Sequence, residues 1–155
     1  MQAGDPSTTG SPLERSPLLV CVHGWLLSGR LWEPLQAELS PQWQSWAPDL
    51  PGFGAAPRPH GLQPTLASYG RWLAAAAQEQ AGGRPIVLLG HSLGGMIALH
   101  LAQSGPQRIA SLTLAASAPI RLARNIALFE TLVRIRQSDA EPDTWLRALF
   151  PWLFA

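Results

Sequence analysis

An α/β fold built on a parallel sheet is what this sequence predicts, and three observations predict it. Apolar runs of strand length recur at Pro17–Val22, Gln44–Ala47, Pro85–Leu89 and Ile109–Ala115. Stretches with helical spacing lie between them, and Gly and Pro clusters mark the changeovers. Strands separated by helices cannot pair through tight hairpins. They pair through crossovers, which lay the helices on the faces of a parallel sheet.

Each element has its own reason. Pro17–Val22 is apolar without alternation, as expected of a strand covered on both faces. Leu31, Leu35 and Leu39 fall on one face of a helix over Leu31–Leu39. Gln44–Ala47 is a short strand that runs into the Pro- and Gly-rich stretch Pro48–Gly54. The alanine-rich segment Leu66–Gln80 reads as a helix stopped by Gly82-Gly83. Pro85–Leu89 is a strand, followed after a tight turn by a helix to about Gln103, which Gly105-Pro106 ends. Ile109–Ala115 is the last strand.

The flanks differ in character. Residues 1–16, rich in Gly, Pro, Ser and Thr, read as a disordered lead; they lack the basic and then apolar regions of a secretory signal. Residues 17–118 form the α/β core, and beyond Pro119 the pattern becomes that of a helical lid over 119–155. There Asn125–Arg136 is amphipathic, Glu141-Pro142-Asp143 resembles a helix start, and Trp145–Phe154 is strongly aromatic. Of the 155 residues 14% are charged, with a net charge of +1, which provides no field for nucleic acid or an anionic membrane. No apolar run approaches the roughly 20 residues of a membrane span. Cys21, the single cysteine, lies inside the first strand and reads as packing. A cytoplasmic protein is the expectation.

The chemistry concentrates at Gly90-His91-Ser92-Leu93-Gly94, a Gly-x-Ser-x-Gly sequence between a strand and a helix. A turn that tight needs residues nearly free of side chain at Gly90 and Gly94, and it lifts the Ser92 hydroxyl clear at the helix N-terminus, ready to attack a carbonyl. The backbone N–H of Leu93 is then placed to receive the oxyanion that forms. Two other motifs precede it: His23-Gly24-Trp25 after the first strand, and Asp49-Leu50-Pro51-Gly52-Phe53-Gly54 after the second.

In that order and on those elements, the three motifs resemble the α/β-hydrolase superfamily from about Leu18 to Ala118. The resemblance implies a serine hydrolase acting on carboxylic esters through an acyl-enzyme on Ser92, with neither cofactor nor metal. It implies that Trp25 supplies the second oxyanion N–H, that Gly24 permits the close approach, and that His23 and Asp49 hold loops. Among members, His-Gly-Trp with Asp-Leu-Pro-Gly-Phe-Gly looks most like the pimeloyl-[acyl-carrier protein] methyl ester esterases. Those have Gly-Trp-Ser at the turn where this chain has Gly90-His91-Ser92. Enol-lactonases and carbon–carbon bond hydrolases share most of the motifs.

Ser92 still needs a base and an acid. His91 adjoins Ser92 at a sharp turn, His100 lies about 12 Å along the helix, and His60 sits in a Pro-Arg-Pro-His-Gly loop. Asp139 and Asp143 fall in the lid segment. None makes a triad, so the expectation is the N-terminal half of a hydrolase with its C-terminal part missing. A non-catalytic ligand-binding remnant is the alternative. The implied partner is an ester, either a small molecule or one carried on acyl-carrier protein. Self-association is expected, because the last strand would be left as an apolar edge.

Overall fold

The computed structural model describes residues 16–104 and 108–117. The chain divides into two units, Met1–Ser117 and Ala118–Ala155, and the described residues belong to the first. Of the expected lead over 1–16 only Ser16 is described, and the expected lid over 119–155 lies outside the described residues.

Four strands form one sheet: β1 (Leu18–Val22), β2 (Ser45–Trp46), β3 (Ile86–His91) and β4 (Ile109–Ala115). Their spatial order is β2-β1-β3-β4, and every pairing is parallel. The α/β fold with a parallel sheet is therefore present, with β2 and β4 outermost among the described residues. Leu18 pairs with Ile86 and Val22 with Gly90, so β1 and β3 end level, which brings the loops after them together. β2 is shorter than its apolar run, but the carbonyl of Gln44 still accepts the Leu19 N–H at 2.9 Å.

The helices are α1 (Glu33–Leu39), α2 (Leu66–Ala81) and α3 (Leu93–Ser104). The helix expected over Leu31–Leu39 divides into a 3-10 turn, Gly29–Trp32, and then α1. Pro34 falls in the first turn of α1, where its missing N–H costs nothing. Thr65 caps α2 by accepting the Ser68 N–H at 3.2 Å. Gly82, with φ +56°, closes α2 in the left-handed conformation.

The two faces of the sheet carry different cover. Leu18, Val20, Val22, Ile86 and Leu88 join Leu73, Ala77, Ile97 and Leu101 of α2 and α3 in the main buried cluster. On the other face, Leu19 and Cys21 pack with Trp32, and Leu35, Leu39, Val87 and Leu89 lie half-buried around them. Burial pushes the Cys21 thiol up to about 11. None of the helices among the described residues is long and apolar enough to cross a membrane.

Candidate active site

Ser92 lies between the last residue of β3 and the first of α3, with φ +51°. A residue other than glycine rarely holds that conformation and keeps it only when its surroundings over-determine it. Here they do. The Ser92 N–H donates to the carbonyl of Ala115 at the end of β4, at 3.0 Å. Its carbonyl accepts from the N–H groups of Gly95 and Met96 at 3.1 and 3.2 Å, and from the Ser117 hydroxyl at 3.0 Å.

The turn is packed to the backbone on every side. A methyl group at Gly90 would come within 2.7 Å of the Gly94 carbonyl and the Gly95 nitrogen. One at Gly94 would overlap the carbonyls of Val22 and His23, and one at Gly95 would overlap the Ser117 hydroxyl. Ridge-free glycines thus let α3 start directly against the ends of β1 and β3.

The loop after β1 closes on the same point. A methyl at Gly24 would stand 3.1 Å from the Ser92 Cβ and 2.9 Å from His91 Nδ1. Trp25 and Leu26 then form a turn closed by Leu27 N–H to Gly24 carbonyl at 3.3 Å, with Leu26 at φ +60°. Trp25 is half-buried in it. Leu93 is the first residue of α3, and an N–H at that position has no acceptor within its helix. A helix start also favours developing negative charge.

His23 is fully buried and both ring nitrogens are engaged. Nδ1 donates to the Gly24 carbonyl at 2.7 Å, and Nε2 accepts the Leu50 N–H at 2.9 Å. That pair of roles requires the neutral ring. Desolvation lowers its pKa, opposed by the Gly24 bond and by the charge of Asp49. The ring also meets Phe53 edge-on at 5.7 Å, and Tyr69 donates its hydroxyl to the Pro51 carbonyl at 2.8 Å. The carboxylate of Asp49 accepts from Gly29 N–H at 2.6 Å and Ala55 N–H at 2.7 Å, which lowers its pKa. It spans two loops and lines an open groove of about 400 Å³ with Arg30, Glu33 and Gln36.

The structure therefore sets Gly24 against Ser92 and His91, with Leu93 next along α3 and Trp25 next along the loop after β1, and commits His23 and Asp49 to hydrogen bonds with the loops. His100 packs its ring on Gly70 of α2, and His60 is exposed. No imidazole among the described residues is hydrogen-bonded to the Ser92 hydroxyl. No cluster of three or more His, Cys, Asp or Glu side chains suited to a metal occurs among the described residues. Gly95 and Ser117 belong to the site as well. Gly95 could have been found from the doubled glycine after Ser92, whereas Ser117 carries no signal in the sequence.

Residues 17–151 match the family model described as alpha/beta hydrolase fold. A pimeloyl-[acyl-carrier protein] methyl ester esterase of Aeromonas hydrophila is 37% identical over 111 residues, covering 72% of this chain and 42% of the relative. Another enzyme of that name, from Xanthomonas oryzae pv. oryzae, is 38% identical over 134 residues, covering 86% and 44%. A thermophilic esterase from Thermogutta terrifontis superposes with a TM-score of 0.67 at 26% identity, over 79% of this chain and 46% of its own. The chain spans less than half the length of the curated relatives it matches.

Proposed function

The chain belongs to the alpha/beta hydrolase fold family, and from that premise we propose that Ser92 is the nucleophile of a carboxylic ester hydrolase. The observation that carries the proposal is the strained Ser92, held by its own N–H and C=O at the start of α3 with Gly24 against its Cβ. In the reaction, the Ser92 oxygen attacks the ester carbonyl and loses its proton to a base. The oxyanion is received by the N–H groups of Leu93 and Trp25, each such donor being worth about 3–4 kcal/mol of barrier. On collapse the base gives that proton to the leaving oxygen, so the alcohol departs neutral and an acyl-enzyme remains, which water hydrolyses to the acid and free Ser92.

The base and acid of this reading come from outside the described residues, because both nitrogens of His23 are engaged and neither His60, His91 nor His100 is hydrogen-bonded to the Ser92 hydroxyl. The substrate is an ester, and the names of the relatives support a methyl ester on an acyl chain borne by acyl-carrier protein. A cytoplasmic location fits such a substrate.

The test is turnover of p-nitrophenyl acetate. These 155 residues alone are expected to show only the residual left to an oxyanion hole without a triad, about 10³–10⁴ over water. Joined to the C-terminal half of one of the esterases above, they should gain robust turnover that Ser92→Ala abolishes. No gain in the joined protein would favour a ligand-binding remnant. Robust turnover by the 155 residues, lost in Ser92→Ala, would place a base within this chain.

A further inference from the structure

Ser117 lies just beyond β4, far in sequence from the nucleophile turn, and is half-buried. Its hydroxyl oxygen is 3.0 Å from the Ser92 carbonyl, 3.2 Å from that of Ala115 and 3.5 Å from that of Gly90. A hydroxyl carries one proton, and the shortest of these contacts is the one to Ser92. The residue before it, Ala116, has φ +48°, so two left-handed non-glycine residues face each other across this contact. They are tied in both directions: Ser92 N–H to Ala115 carbonyl, and Ser117 hydroxyl to Ser92 carbonyl. The Ser92 carbonyl is also held locally by the Gly95 and Met96 N–H groups, but the bonds to the end of β4 are the ones that join the two left-handed residues, and each supplies the other with a bond that helps to hold it. The space for this lock exists because residue 95 is glycine; a methyl there would occupy the place of the Ser117 hydroxyl.

From this geometry we infer that Ser117 is a positioning residue for the nucleophile. It fixes the carbonyl of Ser92, hence the backbone conformation from which the Ser92 hydroxyl projects, and makes the end of β4 a working part of the site. The inference rests on the reading of Ser92 as nucleophile for its catalytic consequence, but not for its structural one. It also accounts for the second glycine after the serine, which the Gly-x-Ser-x-Gly turn alone does not require.

Amide hydrogen exchange on the 155-residue chain tests the structural half. In Ser117→Ala, and in the near-isosteric Ser117→Cys should the alanine variant fold poorly, exchange at the Ser92 amide should rise about tenfold, the loss of one hydrogen bond. The amide of Leu73, in the middle of α2, should be unchanged. An unchanged Ser92 amide overturns the inference. So does an equal rise at Leu73, which would make Ser117 a general stabiliser. In the joined protein, kcat for p-nitrophenyl acetate should fall about tenfold with KM held within about twofold. A change confined to KM contradicts positioning. If Ser92→Ala leaves turnover intact, the nucleophile reading fails while the exchange result still decides the lock.

Discussion

The two faces of one sheet are covered to different degrees in this chain. Against α2 and α3, Val20, Val22 and Leu88 are wholly buried with Ile97, and Leu18 and Ile86 are nearly so. On the opposite face the neighbouring Val87 and Leu89 are only half-buried, with α1 and Trp32 as their cover. On the open face of β4, Ser111 and Thr113, in register with Val87 and Leu89, are exposed, and at this edge even Leu114, in register with Gly90, is exposed to 38%. The Ser92 turn is built on the closed face, where α3 starts. Its rigidity therefore does not wait on the half-covered face, although its lock to Ser117 reaches out to β4. The backbone of the turn is in place although cover on the other face thins from the buried Cys21 to the half-buried Val87 and Leu89.

Deleting a side chain from each face sharpens this most. Leu88→Ala should cost about 2–5 kcal/mol in urea unfolding, because it leaves a cavity in closed packing. Leu89→Ala, half-buried, should cost about 1 kcal/mol. Equal losses would show that the faces are energetically alike. Gly95→Ala probes the closed side beside Ser92, where the added methyl meets the Ser117 hydroxyl. A destabilisation of about 1–3 kcal/mol is expected, and a neutral result would mean that the turn can yield.

The β4 edge is expected to self-associate. β4 has neither proline nor lysine to blunt it, and Leu114 is exposed. On size-exclusion chromatography the 155-residue chain should elute as larger species that Leu114→Lys shifts to monomer. A monodisperse parent with a sharp melt would break the comparison.

Acid should act next, through the closed side. His23 is buried neutral, with a folded pKa below its ordinary 6.5. Its contribution to stability is whole above that value and is lost as pH falls from there to the folded pKa. Asp49, held below its ordinary 3.8, adds a second loss under that pH. The urea midpoint should thus be flat from pH 8 to 7 and decline below about 6.5. A His23→Asn variant, less stable throughout, should lose the upper part of that decline. The smallest effect concerns Leu26, whose φ of +60° suits glycine. Leu26→Gly should raise stability by about 0.5 kcal/mol, relief of strain offset by added chain entropy. A loss would mean that the half-exposed side chain has a packing role.

Much of this was legible in the residues themselves. Strand and helix periodicity placed β1, β3, β4, α2 and α3 to within a residue or two, because apolar patterning reports burial directly. Gly90, Ser92 and Gly94 could be read as a tight turn because only small residues fit one. The half-burial of Val87 and Leu89 could not be read, since a continuous apolar run signals cover on both faces but not how completely the helices there close over it. Nor could the tautomer of His23, which depends on an N–H from Leu50, 27 residues away, and a carbonyl next door. The part played by Ser117, and its occupation of the space beside Gly95, were decided by the tertiary structure alone. Parallel pairing of β3 with β4 carries the end of one strand to the turn after the other, and local sequence holds no record of a contact made across a crossover.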